Sequence, residues 1–360
     1  MLNNFLDLNA KMVKKIIIGL IMGIFLLLIW SLYIDIDFSK VMGYISSVDY
    51  SYIFLSTIFY TLAYFFRSVR WKIILAQVHS IKYITSFALY VAGMLINFFI
   101  PCRAGDIARC VFLKKLANIN ISRSLPSVFM DKVMDVFPVL IILPLIFIFS
   151  FSLSRPVFVL IYLITSIFII LLLIILISVK KTGLILNIFK YFISLAPDRF
   201  INFKLKSINS LDHFFKEIIT YFKNKTIIFY TILFSFLSIA SDALFFYFFL
   251  LGFGSSLSLL KVFFGYTLIQ LSYVLPYPPA QIGSNEILWV IIFCATFGLN
   301  RNIMSAITLS AHLWIFLFHI LAGSAAIFSL WYRIKLHLIS IMKSQKESFA
   351  LQNNTTSSFS

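Results

Sequence analysis

Apolar residues fall in long blocks along this chain, and the polar stretches between them are short and mostly basic. The blocks lie at residues 16–34, 50–66, 83–100, 127–151, 156–179, 227–251, 260–276, 287–299 and 303–332. Several exceed the roughly 18 consecutive apolar residues that mark a bilayer-crossing helix. The pattern predicts an all-α, polytopic membrane protein. It excludes a transmembrane β-barrel, whose strands would read as segments of about 10 residues with alternating polarity.

Two places do not read as simple spans. Segment 83–100 ends at Pro101, and three charges follow at once: Arg103, Asp106 and Arg109. Pro101 stops simple continuation of a helix, and Gly105 permits backbone that other residues resist. Segment 260–276 ends in Pro276-Tyr277-Pro278-Pro279, with Gly283 and Glu286 next. The apolar run after it, 287–299, makes about 20 Å of helix, short of a hydrocarbon core of about 30 Å. Both places repeat the order apolar helix, Pro, Gly, acid. Paired Gly/Pro-interrupted segments in the two halves of a membrane protein point to a midplane transport site. The alternative is two helices that merely end in residues common in transmembrane sequence.

The polar stretches bear on topology. Arg67, Arg70, Lys72 and Lys82 follow the second block, and Lys114, Lys115 and Arg123 follow the third. Residues 35–49 instead carry Asp35, Asp37 and Asp49 against Lys40. Positive charge favours the cytoplasmic side. With both basic stretches there, segment 83–100 enters and returns on one side as a re-entrant element. Segments 260–276 and 287–299 then form a second one, broken at the prolines. Six full spans remain, and both termini are cytoplasmic. Eight or nine plain spans are the alternative, and they leave a basic loop outside. Residues 180–225 hold nine Lys/Arg against three acids, with apolar spacing at Leu205, Ile208, Leu211 and Phe215. They read as a cytoplasmic amphipathic connection, resting on headgroups or simply solvated. Residues 1–343 are expected to form a single integral membrane domain. The tail, 344–360, is Ser/Asn/Thr-rich and expected to be disordered.

Composition narrows the function classes. Of 360 residues, 61% are hydrophobic and 12% charged, against about a quarter charged in a soluble domain. The formal charge of +17 follows the positive-inside bias and suits anionic headgroups. No soluble basic face for nucleic acid is visible. Run 16–34 follows Lys11, Lys14 and Lys15 without a small-residue cleavage site, so it reads as a retained span. Cys102, Cys110 and Cys294 have no metal-ligand or redox spacing and read as buried free thiols. No metal or other cofactor is expected.

Four stretches carry a family resemblance. They are Arg67-Ser-Val-Arg70-Trp71, Pro101-Cys-Arg103-Ala-Gly105-Asp106-Ile-Ala-Arg109, Ser127-Val-Phe-Met-Asp131-Lys132-Val-Met-Asp135, and Pro279-Ala-Gln-Ile-Gly283-Ser-Asn-Glu286. Their order resembles the flippase-like membrane domain of lysylphosphatidylglycerol synthases and its stand-alone relatives, over roughly residues 15–335. Two features depart from that pattern: Lys132 stands where the family often has Arg, and the turn before Glu286 is Pro-rich rather than Gly-rich. The soluble aminoacyl-transferring domain has no counterpart here, so the resemblance implies translocation and not lipid synthesis.

The candidate substrate-binding residues are Arg67, Arg70, Arg103, Gly105, Asp106, Arg109, Asp131, Lys132, Asp135, Gly283 and Glu286. Asp106 can pair with Arg103 or Arg109 at helical spacing, which leaves a guanidinium for a lipid phosphate. A closed structural ion pair is the competing reading. Arg67 and Arg70 read as headgroup ligands or interfacial anchors. Asp131 and Asp135 either join a charge network with the arginines or form a polar helix entrance. Glu286 is a helix-terminal acid or a proton- or cation-linked group, and Asp242 a mid-span acid without a local partner. His312 and His319 share a face of the last block, as hydrogen-bonded core histidines or as ligands or proton carriers.

The expected function is handling or translocation of a lipid or lipid-linked glycan precursor. The partners are membrane lipids or polyprenyl-linked intermediates, with a homo-oligomer or envelope-biosynthesis enzymes as further partners. The site is the bacterial or archaeal cytoplasmic membrane. An integral-membrane transferase acting on a lipid phosphate and a non-catalytic envelope-biogenesis partner are the alternatives. The transferase lacks support from a soluble nucleotide-sugar domain or a long external catalytic loop.

Overall fold

The structure is a computed structural model. It describes residues 37–100, 103–142, 201–272 and 278–357, with isolated positions between 21 and 28 and between 158 and 193. The helices are α1 (Phe38–Ser46), α2 (Tyr50–Leu75), α3 (Tyr83–Phe99), α4 (Ala104–Ala117), α5 (Ile121–Ile142), α6 (Ile201–Lys223), α7 (Lys225–Gly252), α8 (Leu259–Ser272), α9 (Ser284–Phe297) and α10 (Arg301–Ser357), with one 3₁₀ turn at Pro279–Gln281. No strand occurs among the described residues. The all-α, polytopic membrane architecture expected from the apolar blocks is what the chain adopts. Expected spans 16–34 and 156–179 fall largely outside the described residues, as do residues 143–151, Pro101, Cys102 and Pro276.

Four described segments are long and apolar enough to cross a bilayer: Tyr50–Leu75, Lys225–Gly252, Pro279–Phe297 and Arg301–Leu336. Two helices are shorter, Tyr83–Phe99 and Leu259–Gln270. The segment expected at 287–299 therefore begins earlier, and with its opening turn it reaches 19 residues. The second span also runs further than expected. Residues 67–75 continue α2 rather than forming a loop, because Arg67 and Arg70 find acid partners inside the bundle. Likewise α4 occupies much of the stretch expected as a basic loop.

An antiparallel pair, α2 with α7, forms the spine. The Asp49 amide donates to the Gly252 carbonyl at one end, 2.9 Å. Phe59 and Phe248 stack further along, ring centroids 5.2 Å apart. Arg70 donates to Ser235 Oγ at the other end, 2.8 Å. Helix α10 runs antiparallel to α3. A Cβ added at Gly323 would lie 2.5 Å from Leu95 Cβ, so this glycine lets the two helices cross closely. Arg333 donates to Thr85 Oγ1 at 3.0 Å and ties down the same pair. The C-terminal part of α6 meets protein: Ile218 and Tyr221 are buried with Met130 and Met134 of α5 and Ile74 of α2.

Candidate functional site

The site begins at the tight hairpin of α3 and α4. A Cβ at Gly105 would sit 1.8 Å from the Gly93 carbonyl oxygen. Only glycine allows these backbones to touch. The Gly105 amide donates to Asn97 Oδ1 at 2.7 Å, and Asn97 Nδ2 donates to Asp106 Oδ1 at 3.1 Å. One Asn side chain therefore serves an orphan amide at the start of α4 and orients the acid in its first turn. Arg103, just before α4, takes the left-handed conformation (φ 55°, ψ 39°). A non-glycine residue held there carries backbone strain of about 1–3 kcal/mol.

Below this hairpin lies a closed charge network. Asp131 is fully buried and accepts from two arginines. Arg70 Nε and Nη2 reach its Oδ1 at 3.0 and 2.8 Å, and Arg109 Nη1 reaches its Oδ2 at 3.3 Å. Arg70 Nη2 also donates to Asp135 at 2.5 Å, and Arg109 Nη2 to Asp106 at 2.8 Å. Lys132 Nζ lies 3.3 Å from Asp135 and 3.9 Å from Asp106. The Arg109 guanidinium is sandwiched between Trp71 and Tyr90, 4.8 and 4.7 Å from the ring centroids. Its Nε has no hydrogen-bond partner; the aromatic faces supply cation–π attraction instead. Separately, Arg67 forks onto Asp242 of α7. Four cations (Arg67, Arg70, Arg109, Lys132) thus meet four acids (Asp106, Asp131, Asp135, Asp242). Burial this deep requires such matching, since an unpaired ion in a low-dielectric interior costs several kcal/mol.

The second break lies at Pro279–Gln281. Ala280 and Gln281 both have positive φ (55° and 59°), as does Gly283 (78°), the residue that caps α9. Glu286 lies in the first turn of α9, buried, and its Oε1 contacts His312 Nδ1. His312 Nε2 donates to the Ala280 carbonyl at 2.7 Å. Glu286 Oε2 is buried without a hydrogen-bond partner. His319, two turns along α10, donates from Nδ1 to the Ile315 carbonyl at 2.8 Å. Its Nε2 accepts from Tyr64 Oη at 2.7 Å.

A cavity of about 460 Å³ connects the two breaks. Arg103 and Asn97 from the first break line it, and Pro279 and Gln281 from the second. Arg67, Lys132, Asp135 and Asp242 add charge to the wall, and His312 and His319 line it from α10. Aromatic rings such as Tyr60, Tyr90, Phe245 and Trp289 complete the wall.

The candidates from the sequence fall into three groups. Arg70, Gly105, Asp106, Arg109 and Asp131 sit in or behind the closed network and do not line the cavity. Arg67, Arg103, Lys132 and Asp135 do line it. Gly283 and Glu286 belong to the second break, with His312 between Glu286 and the cavity. Asp242, which had no local partner in the sequence, pairs with Arg67 across 175 residues. The roles of Asn97, Tyr90 and Ala280 were not legible. The one available signal was an Asn four residues before a helix-breaking Pro inside an apolar run. No group of three metal-binding side chains occurs among the described residues. Cys110 and Cys294 are free.

The family described as the lysylphosphatidylglycerol synthase TM region matches residues 16–323. A UPF0104 membrane protein of Pyrococcus horikoshii is 22% identical over 312 residues, covering 81% of this chain and 90% of the relative. No solved structure matches the chain. With the family's pattern running through both helix breaks and nearly all of the described bundle, the chain belongs to the lysylphosphatidylglycerol synthase TM region family.

Proposed function

We propose that this protein translocates a lipid with an anionic headgroup, or a lipid-linked glycan precursor, holding the headgroup in the cavity between the two helix breaks. The observation that carries this reading is the cavity wall, where Arg67, Arg103 and Lys132 converge beside irregular backbone. Non-helical backbone at membrane depth is tolerated where it is buried or lines a polar cavity. Guanidinium groups there suit a phosphate, while the acyl or polyprenyl tail stays in lipid. The headgroup ligands in this reading are Arg67, Arg103 and Lys132. Arg70, Arg109, Asp106 and Asp131 hold the wall in place, because their hydrogen bonds are spent on one another.

The re-entrant topology belongs to the same reading. Gly93 against Gly105 makes α3 and α4 a hairpin, which supports a reading with Lys72 and Lys82 before it and Lys114, Lys115 and Arg123 after it on one side. Gly265 packs against the Phe293 and Phe297 rings and so brings α8 beside α9, through side chains rather than backbone. Loop charge then favours cytoplasmic termini and a cytoplasmic membrane location.

The test is a dithionite-quenching assay in phosphatidylcholine vesicles carrying fluorescent NBD-phosphatidylglycerol. Wild-type protein is expected to move the probe between leaflets. The variant Arg103→Ala is expected to move it at least tenfold more slowly while remaining monodisperse in detergent. Equal rates for the two proteins would overturn the assignment.

A further inference from the structure

We propose that the cavity selects a headgroup carrying a hydroxyl-rich ring, a sugar joined to the lipid through a phosphate; this rests on the translocation reading above and names the class of its headgroup. The cations of the wall suit the linking phosphate. Three neutral side chains, Tyr60, Gln270 and Gln281, speak to what the phosphate carries, and all three line the cavity.

The hydrogen bonds that start at α10 fix what Tyr60 offers. A backbone carbonyl only accepts, so His319 Nδ1 holds a hydrogen toward Ile315 O, 2.8 Å away. No carboxylate among the described residues touches His319, and its Nε2 is the acceptor of a neutral imidazole. Tyr64 spends its one hydroxyl hydrogen on that nitrogen at 2.7 Å. The Tyr60 hydroxyl, 3.2 Å from Tyr64 Oη, is therefore the donor of that pair. Its oxygen is left with lone pairs alone. Such a group accepts from a ligand hydroxyl and repels a phosphate oxygen, which has no hydrogen to give. Leaving a buried acceptor unmatched is costly, and Tyr60 is buried.

The two glutamines add to this. Gln270 lies near the end of α8, and Gln281 is held at φ 59° in the broken backbone before α9. Among the described residues neither carboxamide has a hydrogen-bond partner. The asparagines of the wall differ, since Asn97 serves Gly105 and Asp106 and Asn285 accepts from Trp289. A carboxamide sets an acceptor oxygen beside two N–H donors. Neighbouring hydroxyls on a ring donate and accept together and meet both. A phosphodiester only accepts, so it would leave the oxygens of Gln270, Gln281 and Tyr60 idle.

Around these groups the wall is aromatic. Tyr266 and Trp289 meet edge to face with centroids 5.6 Å apart, and Tyr60 lies 4.8 Å from Phe245. A sugar ring has hydroxyls at its rim and C–H groups on its faces, so it meets both kinds of surface at once. The volume of about 460 Å³ falls within the range of about 300–1,000 Å³ typical of small-molecule pockets, which join apolar walls to a few placed polar groups.

The experiment compares two probes in the dithionite assay, NBD-phosphatidylglucose and NBD-phosphatidylmethanol. They share the diacyl tail and the anionic phosphodiester, and only the first carries hydroxyls. A site built to hydrogen-bond hydroxyls rejects the analogue that lacks them, so wild type is expected to move phosphatidylglucose at least tenfold faster. In Tyr60→Phe, Gln270→Met and Gln281→Met, each made singly, the ratio of the two rates is expected to fall at least threefold. A ratio taken within one variant is insensitive to how much of it is folded. Equal movement of the two probes by wild type, or faster phosphatidylmethanol, would overturn sugar selection while leaving translocation intact. Movement of neither probe would overturn both. A wild-type preference that persists undiminished in all three variants would overturn the assignment to these side chains.

Discussion

Arg70 places two of its nitrogens on a single carboxylate oxygen of Asp131, at 3.0 and 2.8 Å, and both side chains are fully buried. The other oxygen of Asp131 receives Arg109. One carboxylate therefore fastens α2 and α4 to α5. Arg70 and Arg109 are here internal structural ions.

Loss of the Asp131 charge is the most disruptive single change to expect in the network. Asp131→Asn keeps the shape but leaves two guanidiniums sharing Asp106 and Asp135 alone. Removing one partner from a buried ion pair typically costs about 3–5 kcal/mol. The variant is expected to lose most of its monodisperse fraction after mild heating in detergent, measured by fluorescence-detected gel filtration. Wild-type-like survival would show that Asp131 is dispensable to folding.

Arg103 is expected to behave in the opposite manner. Its backbone is left-handed, a conformation glycine adopts freely. Arg103→Gly relieves strain of about 1 kcal/mol or more, so thermal stability in detergent should hold or rise. Headgroup movement should fall, because the side chain that lines the cavity is gone. Arg103→Ala loses the same side chain without the relief and should be the less stable of the two. A stability order with Ala above Gly would contradict this account.

Sequence pattern reached the architecture because hydrophobicity in a bilayer is a long-range signal written in blocks. It reached both breaks for a similar reason: Pro and Gly interrupt a helix wherever they stand. Partners were harder. Arg67 and Asp242 lie far apart in the chain, and nothing local pairs them. Arg67 and Arg70 looked like loop charges because an apolar block ended before them. Only the packed bundle supplies the acids that let α2 continue to Leu75. The start of α9 was also misplaced, since Ser284, Asn285 and Glu286 are polar by composition yet helical, with Asn285 and Glu286 buried. Asn285 Oδ1 accepts from Trp289 Nε1, and Glu286 Oε1 contacts His312.

Arg109 tests whether the aromatic sandwich matters beyond charge. Lysine keeps the charge but lacks the planar fork that reaches Asp106 and Asp131 while stacking on two rings. Arg109→Lys is expected to cost about 2 kcal/mol through lost cation–π and hydrogen-bond geometry. Because Trp71 is fully buried against this group, its fluorescence should report the change. The comparison is made with and without Trp71→Phe, which removes the signal. Unchanged emission and unchanged stability together would mean that only the charge is needed.

The glycine pair at the hairpin gives the sharpest stereochemical prediction. A Cβ at Gly105 would lie 1.8 Å from Gly93 O, and one at Gly93 would lie 2.8 Å from Arg109 Cγ and 3.0 Å from Gly105 O. Backbone cannot give way as a flexible side chain can, so Gly105→Ala must separate α3 from α4. That separation withdraws Asn97 from the Gly105 amide and moves Asp106 away from Arg109. The expected cost is at the upper end of overpacking, about 3 kcal/mol or more, and larger than for Gly93→Ala. Gly43 is the matched control: it is an exposed helical glycine of α1 with nothing within 4 Å of an added Cβ. Gly43→Ala is expected to stabilise by about 0.5–1 kcal/mol. Thermal unfolding of the three variants in detergent measures the order. Gly105→Ala with wild-type stability would mean that α3 and α4 are not in backbone contact, and the hairpin on which the re-entrant reading depends would fall with it.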